Sequence, residues 1–165
     1  MTRAAALLLT VLLTACGAGG SLDDDIAGLQ ASLDAKDFAA VVSGADAVLD
    51  RCKADGADAS RSWRVESMRI KALARSGQGT ETAEKLEAAA DAYEGKVSAK
   101  LYAQMGNYCM EADDNSGAIA VLDVGMKRFP DNAAALNAQI DALKAKAAAS
   151  GDSETLKQLE QLGYL

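Results

Sequence analysis

The sequence predicts an all-α fold of antiparallel helix pairs, set behind a short N-terminal targeting segment. Three observations carry this. After residue 21, apolar residues recur at three- and four-residue steps through most of the chain, the period of an amphipathic helix. Short clusters of Asp, Asn, Ser and Gly interrupt that pattern where one helix would turn into the next. Half of the residues are apolar but only 4% are aromatic, so alanines must fill much of the core, and small side chains let helix axes come close. Strand patterns are nearly absent, and 165 residues suit one domain plus a processed segment.

The chain divides into residues 1–15, 16–21 and 22–165. Arg3 gives a basic start, and Ala4–Leu13 is an apolar run. That run is too short to span a bilayer and suits a signal peptide. Leu13-Thr14-Ala15-Cys16 closes it and resembles a bacterial lipobox. The resemblance implies cleavage before Cys16, a diacylglycerol on its sulfur and acylation of the new amino group. Such a protein is held on a membrane by its lipid, because stable anchoring takes more than one chain. Gly17–Gly20 reads as a flexible tether. Enterobacterial inner-membrane retention uses an aspartate after the lipidated cysteine. Gly17 stands there instead, which implies an outer-membrane lipoprotein facing the periplasm.

Ser21 caps a first helix whose first turn holds Asp23, Asp24 and Asp25 and whose stripe is Ile26, Leu29 and Leu33. A second helix starts near Asp37 and carries Val41, Val42, Ala45, Val48, Leu49 and Cys52. Lys53–Ser60 reads as a polar loop. A third, about Ser62–Arg75, has two apolar faces, one with Trp63, Ser67, Ile70 and Ala74 and one with Val65, Met68 and Ala72. That pattern predicts neighbours on both sides. Thr80 is expected to cap a fourth helix bearing Ala83, Leu86, Ala90 and Tyr93. Fifth and sixth helices occupy 96–129. Asp131 or Asn132 is expected to cap a seventh with Leu136, Ile140, Leu143 and Ala147. A short eighth carries Leu156, Leu159 and Leu162, and residues 162–165 are expected to fold back as a plug.

The fifth and sixth helices form the most informative stretch. Val97, Leu101, Tyr102, Met105, Tyr108 and Cys109 make one stripe, with Gly106 inside it. A mid-helix Gly costs about 1 kcal/mol against Ala, so close approach of a neighbour is expected there. Asn115 or Ser116 is expected to cap the sixth helix, which carries Ala118, Ile119, Leu122, Gly125, Met126 and Phe129 and is stopped by Pro130. Tyr102-x2-Met105-Gly106-x2-Cys109, Ala118-x3-Leu122 and Pro130 resemble the tetratricopeptide (TPR) pattern in spacing, with Cys for Tyr and Leu for Phe. Apolar anchors recur from Ile26 to Trp63, Tyr102 and Leu136 at intervals of 37, 39 and 34 residues. The resemblance implies a TPR-like α-solenoid of three hairpins followed by a capping seventh helix and a tail helix.

No histidine is present, which removes the commonest general base and most zinc sites. No phosphate-binding glycine loop is found, and the acidic pairs read as turns and solvated faces. The sequence therefore predicts no enzyme, no metal and no cofactor. Cys52 and Cys109, a repeat apart, are expected as buried free thiols rather than a disulfide. Net charge is −7, and loss of Arg3 makes it −8, which opposes nucleic-acid binding. In TPR proteins the first helix of each pair lines a concave groove. That implies partner contacts at Lys100, Asn107 and Glu111 on the fifth helix and at Asn137, Asp141 and Lys144 on the seventh. Asn107 matches the family's peptide-holding asparagine, whereas Ala103 stands where its companion lysine would be. The expected function is a lipid-anchored protein-interaction module of the cell envelope. The alternatives are a structural subunit of an envelope assembly or secretion complex, which predicts exposed apolar side chains around Leu156, Leu159 and Leu162, or a small-ligand-binding lipoprotein, which predicts an enclosed pocket.

Overall fold

A computed structural model describes residues 20–165. Residues 1–15, expected as a signal peptide, and Cys16, expected to be lipidated, lie outside the described residues. Among those described, the chain is all-helical, with eight α-helices and no strand: α1 (Leu22–Asp34), α2 (Phe38–Ala54), α3 (Ala59–Arg75), α4 (Gly79–Ala92), α5 (Ala99–Glu111), α6 (Asn115–Arg128), α7 (Ala134–Ser150) and α8 (Ser153–Gln161). Pro130–Asn132 forms a single 3-10 turn. Each helix packs mainly on its neighbours one and two places along the chain.

Local chemistry sets the helix starts. Ser21 and Asp24 form a capping box for α1. Asp37, Asp58, Ser98, Asp114 and Asp152 cap α2, α3, α5, α6 and α8 through side-chain oxygens. Several starts differ from the sequence expectation. Asp114, not Asn115 or Ser116, caps α6, because its carboxylate reaches the Gly117 N–H. Thr80 does not cap α4; that helix starts behind Gln78, and its Gly79 N–H is taken up by Asp114 of the neighbouring pair. Asp131 and Asn132 lie in the 3-10 turn, and α7 begins without a side-chain cap. The loop expected over Lys53–Ser60 shrinks to residues 55–58, because Asp58 caps α3 from Ala59 onward.

A left-handed residue followed at once by the N-cap of the next helix occurs four times. Lys36, Gly77, Asp113 and Gly151 each adopt a left-handed conformation, with φ of 61°, 73°, 59° and 73°. The next residue's N–H then bonds the carbonyl five positions back: Asp37 to Ser32, Gln78 to Leu73, Asp114 to Cys109 and Asp152 to Ala147, at 2.9–3.0 Å. These are Schellman closures, spaced 41, 36 and 38 residues apart. The same hydrogen-bonded closure also ends α2 at Gly56 and α8 at Gly163. The four with a cap directly behind them join α1 to α2, α3 to α4, α5 to α6 and α7 to α8. The last two helices are thus a fourth pair with a short second member, rather than a lone capping helix and a tail. The turns also revise the anchor register: the position matching Tyr102 on α3 is Glu66, not Trp63, and on α7 it is Ile140. Glu66 is buried and bonds Arg69 at 2.6 and 2.8 Å, so an ion pair stands where α5 has Tyr102 and Met105.

Two apolar clusters form the core. Residues of α1 and α2 meet Val65, Met68 and Ala72 of α3 in one. Ile70 and Ala74 of α3 join α4–α8 in the other, with Trp63 packed against it. The two faces anticipated for α3 therefore serve two separate clusters. Cys52 and Cys109 are both buried and free, one in each cluster. Burial pushes the Cys109 thiol up to about 12.

Glycines fall where helices touch. A Cβ on Gly106 would lie 2.8 Å from the Leu122 side chain, which explains the mid-helix glycine anticipated there. Gly79 and Gly117 sit backbone to backbone: a Cβ on Gly79 would lie 2.3 Å from the Gly117 Cα.

The fully buried Tyr102 hydroxyl has no hydrogen-bond partner, and burial raises its pKa to about 12. Removing an orphaned buried hydroxyl while keeping the ring relieves a desolvation cost. Tyr102→Phe is therefore expected to raise stability by about 1 kcal/mol in denaturant unfolding.

Candidate functional site

The first helices α3 and α5 each carry a stripe of exposed and half-buried, mainly polar residues beside their buried ones. On α3 that stripe lies between its two apolar faces and carries Arg64, Ser67, Lys71 and Arg75. On α5 it carries Lys100, Gln104, Asn107, Tyr108 and Glu111. Lys100 is exposed and lies at the rim of a cleft of about 540 Å³ between the starts of α5 and α7, lined also by Phe129, Asp131 and Ala134. Asn107 is half-buried, and its amide donates to the exposed Glu111 at 2.7 Å. On α7, Asn137 and Asp141 are exposed, and Lys144 pairs with Asp141 at 3.0 Å. Matched by their turns, the positions corresponding to Lys100, Asn107 and Glu111 on α7 are Ala138, Ala145 and Ala149. Asp141 keeps its place in that register, opposite Ala103, whereas Asn137 and Lys144 sit one residue to the side. The α7 part of the face is thus small and largely uncharged. Ala103 itself is buried.

The same register brings out residues that the sequence reading left unassigned. Arg64, Lys71 and Arg75 correspond to Lys100, Asn107 and Glu111 one pair earlier. Arg75 lies over the Tyr108 ring with its guanidinium carbon 4.1 Å from the centroid, a cation–π contact between α3 and α5. The Gln104 amide donates to the Tyr108 hydroxyl at 2.8 Å. Burial pushes the Tyr108 phenol up, but Arg75 and Gln104 outweigh it, and its pKa is lowered. The signal was present in the sequence as three cations at i, i+7 and i+11 on α3. Tyr108 falls at the spacing of the apolar stripe of α5, which hides its polar partners from a reading of that helix alone.

Comparison with protein-family models, with curated proteins and with solved structures finds no match for this chain. Its chemistry therefore rests on the residues alone. Among the described residues no group of three or more potential ligands could hold a metal ion, and no helix is long and apolar enough to cross a membrane. Of the side chains expected at an apolar assembly surface, Leu159 is buried, Leu156 half-buried and Leu162 42% exposed; the terminal Leu165, outside that set, is 61% exposed. The terminal segment folds back at Tyr164, whose hydroxyl donates to Asp123 at 3.1 Å.

The second helices of the pairs are joined on the far side by polar contacts. One Asp114 oxygen accepts from Gly117 N–H at 2.8 Å and the other from Gly79 N–H at 2.7 Å. The Asn115 amide donates to Asp152 at 2.9 Å. Asp152 also accepts from the Thr155 hydroxyl at 2.5 Å and the Thr155 N–H at 3.1 Å. The Thr155 hydroxyl first, then its N–H and the Asn115 amide, hold the Asp152 pKa down to about 2. A carboxylate with a lower pKa folded than unfolded contributes stability above its unfolded value, near 3.9, and loses it as pH falls through the folded value. Helicity is therefore expected to decline between about pH 4 and pH 2, and Asp152→Asn should flatten that decline in a circular-dichroism titration.

Proposed function

We propose that this chain is a lipid-anchored, TPR-like protein-interaction module of the bacterial cell envelope, held on the periplasmic side of the outer membrane through Cys16. It binds a protein or peptide segment along the partly exposed stripe of its first-of-pair helices and performs no chemistry. The observation that carries this reading is the fourfold recurrence of a left-handed residue directly followed by the next helix's N-cap, together with packing confined mainly to near neighbours along the chain. Such a stack presents the first helices side by side as one extended surface. Lys100, Gln104, Asn107 and Glu111 line that surface on α5, and Ala138, Ala145 and Ala149 continue it on α7. A role as a structural subunit of an envelope assembly draws support from Leu162 and Leu165, the large apolar side chains left exposed at the C-terminal end.

Two experiments test the reading. Cells fed labelled palmitate should yield a labelled protein that becomes unlabelled on Cys16→Ser; label retained in that variant would remove the anchor. Affinity capture from cross-linked envelopes should recover a defined partner with the parent chain and lose it with Lys100→Ala plus Asn107→Ala. Undiminished capture by that variant would point away from this face and toward the C-terminal end.

A further inference from the structure

We infer that the groove's occupant is an acidic, extended peptide segment of a partner protein, held by Arg64, Lys71 and Arg75 of α3. This rests on the groove reading above and names its ligand. Among the described residues, four of the six arginines make ion pairs: Arg51, Arg61, Arg69 and Arg128. The two that do not, Arg64 and Arg75, lie with the equally unpaired Lys71 on one stripe of one helix. In a chain with seven excess negative charges, three adjacent cations left without carboxylates are a conspicuous concentration of unspent charge.

The placement suits a single extended chain. At i, i+7 and i+11 the three side chains project within about 40° of one another and span about 16 Å along α3. Roughly five residues of extended peptide cover that distance. Arg75 is held in place by the Tyr108 ring, its Nε is buried without a partner, and its orientation is fixed before any ligand arrives. A flat anionic bilayer fits less well. The matching positions at the C-terminal ends of α1 and α5 are Asp34 and Glu111, both exposed, and a membrane laid across the stripe would press them against lipid phosphates. A narrow strand touches the stripe alone. The acidic remainder of the surface repels such a ligand elsewhere and steers it to α3.

The test uses the full chain in neutral detergent and fluorescein-labelled hexaglutamate, with hexaserine and hexalysine as comparisons, read by fluorescence anisotropy. Hexaglutamate should bind in preference to both and weaken with salt. Arg64→Gln plus Lys71→Gln should reduce its affinity about ten-fold at unchanged melting temperature, with Arg75 retained to preserve the Tyr108 contact. Equal binding by the variant, or binding of phosphatidylglycerol vesicles through the same two residues with no peptide binding, overturns the inference. Preference for hexaserine or hexalysine lost on Asn107→Ala would overturn the acidic occupant and leave the groove standing. No binding of any peptide would count against both.

Discussion

Gly117→Ala is expected to destabilise the protein by about 3 kcal/mol or more, well beyond an ordinary small-to-large change. The new Cβ would lie 2.1 Å from an Asp114 oxygen and 2.6 Å from the Gly79 Cα. A flexible side chain could swing away, but the Gly79 Cα is backbone, fixed at the first turn of α4. Relief requires the starts of α4 and α6 to separate, which opens the packing of Leu86 and Leu122 behind them. Gly79→Ala should behave alike, because its Cβ meets the Gly117 backbone at 2.3 Å. Gly28→Ala is the control: it is helical and exposed with nothing within 4 Å of a new Cβ, and should gain about 0.5–1 kcal/mol from helix propensity alone. Urea unfolding followed by circular dichroism measures all three. A Gly117→Ala protein as stable as the parent would mean that the two pairs do not meet here.

Asp114→Ala is expected to cost about 3 kcal/mol by two routes. It removes the α6 cap, worth about 1 kcal/mol. It also orphans the N–H of buried Gly79, a penalty of about 1–3 kcal/mol. Ordinary cap substitutions disturb one helix; this one loosens the joint between two pairs. Asp114→Asn keeps one acceptor oxygen and should lose about half as much. Combined with Gly117→Ala, the loss should fall short of the sum, because both changes break the same contact. Full additivity would show the carboxylate and the glycine pair acting separately.

Much of the architecture was legible in the sequence, for definite reasons. The two apolar faces of α3 were readable because Val65, Met68 and Ala72 keep a helical step distinct from that of Trp63, Ile70 and Ala74. The reason for Gly106 was readable because a mid-helix glycine is costly. Register was harder. Trp63 drew the eye as an anchor by size alone, yet the repeat position is Glu66, whose burial depends on Arg69 and was invisible to an apolar pattern. Helix starts were misplaced where a cap came from another pair, as at Gly79, since no local signal announces a carboxylate 35 residues away. For the candidate face, Lys100, Asn107 and Glu111 emerged from the fifth helix alone. The α3 cations could be placed beside them only once the recurring turn aligned the pairs.

Partner contact is proposed to run along the first-of-pair helices. It is tested most directly by a photo-cross-linking amino acid placed at Asn107, on the α5 face, or at Glu84, exposed on α4. After irradiation of intact envelopes, a discrete adduct is expected from position 107 and none from position 84. An adduct from position 84 with none from position 107 would contradict it, and would move the binding surface to the second helices of the pairs.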